Sequence, residues 1–264
     1  MLTKLLKYDL KYMIKNMFVF YVLSIFFSIT TRILFNIDQS VIVTIIAQIS
    51  VGCMFAMIAN TLINTMMRSW IRFRDSLYKD EAYLTHTLPV TKNDLYNSKF
   101  IQTFIFFLFG FLVVLVSLFI TYYSKDNWLA ITNYIKTITT GLNMSTLFFV
   151  VMAIVIIFLE VFNAIQCGFL GIILGYRKNS GKLGFSIIFG FIIYLIAQFL
   201  VLGLVFVYGL FDSTVMELFK TATINIDVNA FKTLAIVSAL LYLVIIFCMS
   251  IICKKVLNKG VDID

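Results

Sequence analysis

The chain has 264 residues and a net charge of +8, yet only 13% of its residues are charged and 61% are hydrophobic. Mean hydropathy is +1.00. A water-soluble domain keeps about a quarter of its residues charged, so this composition excludes an ordinary soluble fold and points to lipid as the solvent.

The chain opens on MLTKLLKYDLKYMIKN, in which Lys4, Lys7, Lys11 and Lys15 recur at helical spacing opposite Leu5, Leu6, Met13 and Met17. That pattern predicts an amphipathic helix over 1–16, lying in the inner membrane interface before the chain turns into the bilayer. It lacks the short apolar core and small-residue cleavage site of a signal peptide.

Six apolar runs follow, at about 17–35, 41–67, 100–123, 146–175, 183–208 and 231–253. About 20 such residues span the hydrocarbon core as a helix. The runs are too long and too evenly apolar for the alternating strands of a membrane barrel. The expected fold class is therefore an all-α membrane protein. It comprises the interfacial helix and one six-helix transmembrane domain over 17–264.

Charge sets the expected orientation. Segments 1–16, 68–99, 176–182 and 254–264 hold 16 of the 21 Lys and Arg. The positive-inside rule then places these segments and both termini in the cytoplasm. The basic excess reads as this orientation signal, not as a nucleic-acid surface. The outer connections, 36–40, 124–145 and 209–230, are too short for a domain of their own.

One inner connection stands out. Residues 68–99 are dense in both charges and contain the only histidine, His86, and the only proline, Pro89. The run RSWIRFRDSLYKDEAYL predicts a helical extension of the second span, with Arg68, Arg72 and an Asp75–Lys79 pair at spacings that stack on helical faces. Pro89 disfavours helix at Leu88, so that helix should end there. Thr91 followed by Asp94 is a capping-box pattern that starts the next helix at Lys92.

Catalytic motifs are not found. GYRKNSGKL, from Gly175, approaches a P-loop but has one residue too many between its glycines and Leu183 where a hydroxyl is needed. Cys53, Cys167, Cys248 and Cys253 form no CxxC pair and sit beside no histidine, so neither a metal site nor a disulfide is expected. Glu160 is the one acid in mid-span, without the partners of a catalytic set. It reads as a carboxyl hydrogen-bonded between packed helices, or as part of a substrate path. Asn163 and Cys167 extend a polar stripe from it, and Ala164, Gly168, Gly171 and Gly175 have the small-xxx-small spacing of close helix approach. Cys53, Met57, Asn60 and Asn64 share a face of the second span, with Gln198 in the fifth. Asn60, Asn64, Glu160, Asn163 and Gln198 are the candidates for a cavity or a dimer interface.

The loop carries a resemblance. EAYLTHTLPVTKNDLYNSK resembles the first cytoplasmic loop of ABC-2 type transporter permeases: an acid, a small residue and an apolar pair, then Leu-Pro-apolar-Ser/Thr-basic, and a lysine before the third span. Here these are Glu81, Ala82, Tyr83, Leu84, Leu88, Pro89, Val90, Thr91, Lys92 and Lys99, with Ala82 and Ser98 where the family often has glycine. The resemblance implies a bacterial plasma-membrane permease without an ATPase, cofactor or catalytic site of its own. It implies a pairing with a second permease chain and two cytoplasmic ATPase subunits, the segment before the proline serving as a coupling helix. Asp80, Glu81, Tyr83, Leu84, His86 and Pro89 are then the expected coupling residues. The expected activity is ATP-driven export, with an amphipathic peptide or drug as the favoured cargo. The alternative is a stand-alone immunity or channel-like membrane protein working without ATP, which would not need this loop.

Overall fold

The computed structural model describes residues 2–37, 40–79, 81–141, 144–211, 216 and 228–259. They form eight helices and no strand: α1 (Leu2–Phe35), α2 (Val41–Tyr78), α3 (Ala82–Thr87), α4 (Lys92–Tyr122), α5 (Lys125–Gly141), α6 (Thr146–Gly175), α7 (Lys182–Phe211) and α8 (Val228–Asn258). Six of these, all but α3 and α5, are long and apolar enough to cross a membrane. Helices α1–α4 make one compact unit and α6–α8 another, the division falling inside α5 between Trp128 and Leu129.

In the first unit, α1, α2 and α4 pack on one another through narrow stripes. On α1 the buried positions are Asp9, Met13, Met17, Ser24, Ser28 and Thr31. The facing stripe of α2 is largely small or hydroxylic, and includes Ser50, Thr61, Thr65 and Ser69. In lipid no hydrophobic force draws helices together, so close backbone approach and hydroxyl bonds do that work. Ser24 and Thr61 share a hydrogen bond of 2.8 Å, as do Thr31 and Ser50. Tyr21 donates to the carbonyl of Phe106 across to α4 at 3.2 Å. Met13, Met17 and Phe106 fill the space nearer the chain's start, and Met54, Ile58 and Val114 the space further along.

The second unit is built on glycine. A Cβ on Gly171 of α6 would fall 2.5 Å from Cα and N of Gly190 on α7 and 2.7 Å from the carbonyl oxygen of Ser186. Only glycine lets those backbones meet, as the small-xxx-small spacing predicts. Helix α8 packs mainly on α6 through Ala235, Ala239, Tyr242, Ile246, Met249, Cys253 and Leu257, all buried. That stripe advances by three and four residues, the period of one helical face.

Three expectations are corrected. Helix α1 runs unbroken through Asn16 and Met17, so the chain makes no turn between an interfacial segment and a span. Nothing in the sequence there stops a helix, and Met13 and Met17 pack against the same partner, Phe106. The extension of α2 ends at Tyr78, with Lys79 extended (φ −117°, ψ −153°), and restarts as α3 at Ala82. Asp75 pairs with its neighbour Arg74 at 2.8 Å, not with Lys79. The connection after α4, to which the sequence assigns no element, holds the 17-residue helix α5.

Candidate functional site

The segment between α2 and α4 is shaped by caps. Thr91 caps α4, its hydroxyl accepting from the amide of Asp94 at 3.1 Å and donating to the Asp94 carboxylate at 2.9 Å. Pro89 and Leu88, both exposed, form the elbow before it. Before the elbow lies α3, six residues long and far too short to be stable alone. Its position is therefore fixed by what holds it.

What holds it is the buried Ala82, the His86 ring against the Leu77 carbonyl and, through Glu81, the outer edge of a buried charge cluster. Arg72 of α2 donates through Nε to Asp9 of α1 at 2.9 Å and through Nη1 to both oxygens of Glu81, at 2.8 and 2.6 Å. Asp9 also accepts from Ser98 Oγ at 2.6 Å and from the ammonium of Lys99. The Arg72 guanidinium lies 4.7 Å from the ring centre of Tyr12, a cation–π contact. Two cations thus balance two carboxylates, and residues from α1, α2, the N-cap of α3 and α4 meet at one point.

Burial divides the cluster in two. The side chains of Asp9, Lys99 and Arg72 are 3%, 6% and 11% exposed, whereas Glu81 is 49% exposed. Charges withdrawn from water must be paired or they cost several kcal/mol each. The Asp9–Lys99–Arg72 part is therefore the fixed anchor, and the Arg72–Glu81 bond is its solvent-facing edge. Beside it opens a cavity of about 240 Å³, bordered by Leu5, Tyr8, Ser76, Thr85, Leu88 and Leu95 as well as the charged groups.

On α3 itself, Tyr83 and Leu84 are 63% and 73% exposed. The ring of His86 is half-buried, its Nε2 3.1 Å from the carbonyl of Leu77. Glu81 is turned onto Arg72. Of the six residues expected to make the coupling surface, Tyr83, Leu84 and Pro89 stand outward, while Glu81 and His86 bond within the chain. Asp80 lies outside the described residues.

The polar span residues fall as follows. Asn64 donates to the carbonyl of Asn60 at 2.9 Å within α2, and both flank the buried stripe at half exposure. In the second unit Asn163 is wholly buried; its Oδ1 lies 3.9 Å from Cys167 Sγ, and its Nδ2 meets no partner among the described residues. Gln198 accepts from Tyr242 at 3.1 Å, tying α7 to α8. Glu160 is half-buried, with no hydrogen bond or ion pair among the described residues.

Sequence reasoning missed the anchor. Lys99 stood only as a motif position and Arg72 only as a charge at helical spacing. Asp9 carried the available signal: it is the one acid in the first 16 residues and is in register with Met13 and Met17. An acid on the apolar face of a basic helix asks for a buried cation. Comparison of the chain with family models, curated proteins and solved structures returns no match in any of the three.

Proposed function

We propose that the chain is the membrane subunit of an ABC-2 type transporter, with α3 as the element that docks on a cytoplasmic ATPase. The observation that carries this reading is a six-residue helix that turns Tyr83 and Leu84 outward while its N-cap, Glu81, is fixed from behind by Arg72. An isolated short helix with outward aromatic and aliphatic side chains has no use for that exposure in water. As a protein contact it has the anchors that dominate binding energy, and the fixed base lets a push on α3 reach α1, α2 and α4.

On this reading the Lys and Arg bias puts both termini and α3 in the cytoplasm of a bacterial plasma membrane. A second permease chain completes the membrane half, two ATPase subunits supply energy, and the cargo is an exported amphipathic peptide or drug. The test is reconstitution with a candidate cytoplasmic ABC ATPase subunit. Y83A/L84A should insert and fold but lose both ATPase co-purification and stimulation of ATP hydrolysis. Retention of both by the double variant overturns the assignment.

A further inference from the structure

We propose that α5 lies in the membrane plane as an amphipathic helix, its Trp128–Ile131–Ile135–Ile138 face seated in the lipid surface where α4 ends. The inference does not rest on the transporter reading.

Helix α5 has two faces. Trp128, Ile131, Ile135 and Ile138 follow at i, i+3, i+7 and i+10, with Tyr134 at the edge of the same face. Asp126, Asn133, Lys136, Thr137 and Thr140 take the other side, with Leu129 the one large apolar residue among them, while the polar Thr139 falls on the apolar side beside Trp128 and Ile135. Yet among the described residues no helix packs along α5. Trp128 is 50% exposed, Ile131 46% and Tyr134 72%, while Ile135 and Ile138 are half-buried. An apolar face of this period needs a partner.

The connections say which partner. Helix α4 ends at Tyr122 and α5 begins at Lys125; α5 ends at Gly141 and α6 begins at Thr146. Both neighbours are long and apolar enough to cross a membrane, and among the described residues nothing between them is. The two spans must therefore meet the same membrane face, and α5 is tied to it by a few residues at each end. A helix of 17 residues is about 25 Å long. Tethered so closely at both ends, it cannot stand away from the surface and must lie along it. The polar residues then face water and the isoleucines the acyl boundary, the arrangement of an interfacial helix.

The turn into α5 fits that depth. Ser124 caps the helix, its Oγ accepting from the amide of Asn127 at 3.0 Å. The rings of Phe119 and Tyr123 are 4.8 Å apart and those of Tyr123 and Trp128 6.2 Å. Tyr and Trp gather at the membrane–water boundary because their rings are apolar and their edges polar. Here three aromatics run from the end of a span onto the start of α5.

The chain has two tryptophans, Trp70 and Trp128, so W70F leaves Trp128 as sole reporter. The full-length variant is reconstituted in vesicles of phosphatidylcholine and phosphatidylglycerol, with and without lipids brominated near the carbonyl end of the acyl chain. The expected result is blue-shifted emission, strong quenching by the brominated lipid and little by aqueous iodide. Spin labels provide a second reading with both tryptophans kept and Cys53, Cys167, Cys248 and Cys253 replaced by alanine: labels at I131C and I135C should be reached by oxygen, those at N133C and T137C by a water-soluble nickel complex. Water-like emission quenched by iodide overturns the proposal. So does blue-shifted emission without lipid quenching, which would mean that a second copy covers the face. Equal accessibility of the two label pairs overturns it as well.

Discussion

Removing the Asp9 carboxylate should be the most damaging single change in the first unit. D9A takes the shared acceptor from Arg72, Ser98 and Lys99 at once. It leaves Lys99, 6% exposed, with no counter-charge in contact, while Arg72 keeps Glu81. Breaking a buried pair from one side costs about 3–5 kcal/mol, because the stranded charge has lost both water and partner. The comparison variant is E81Q. Its carboxylate is half in water, and an exposed pair is worth about 0–1 kcal/mol. At about 2–4 °C per kcal/mol for a domain of 150–250 residues, D9A should melt of order 10 °C lower in detergent, E81Q no more than a few degrees. A third variant isolates the cause. D9A/K99M removes both charges and should recover part of the loss, since an apolar replacement of a buried pair is often neutral. The assay is thermal unfolding of the purified protein followed by its near-ultraviolet signal. If D9A and E81Q melt together, or if D9A/K99M is worse than D9A, the account of the cluster as a buried anchor is wrong.

Two further outcomes follow from the second unit. G171A places a methyl group against the backbone of Gly190 and Ser186, where only separation of α6 and α7 relieves it, and should lower stability by about 1–3 kcal/mol. G52A, with open space around its Cβ position, should be neutral or slightly stabilising in the same melt; equal loss in both would refute the close-contact explanation. E160Q should fold with undiminished stability, because the Glu160 carboxylate has no hydrogen bond among the described residues to lose and an uncharged amide is easier to hold at membrane depth. A marked drop in melting temperature for E160Q would show that the carboxylate has a bonded partner.

Composition alone determined the class of this molecule. Runs of some 20 or more apolar residues can satisfy their backbones in lipid only as helices, so the six long helices were legible before any packing was known. Local chemistry was legible too. Thr91 caps α4 through Asp94 because a capping box is completed within four residues, and Pro89 interrupts the helix whatever surrounds it. Gly171 and Gly175 announced a close contact, since that spacing has few other uses in a span.

Only the tertiary structure decided which charges are structural. Asp9 and Lys99 are 90 residues apart, and nothing in either neighbourhood says that they meet. The end of α2 at Tyr78 has the same origin: local propensity favours a longer helix, but Glu81 turns back to reach Arg72, nine residues earlier. Helix α5 was missed for a different reason. Its 17 residues are too polar to register as a span, and the spacing of Trp128, Ile131, Ile135 and Ile138 stands out only once the two adjoining helix ends are fixed. A pattern of one face is read from neighbouring residues, whereas a salt bridge across four helices depends on the folded path of the chain.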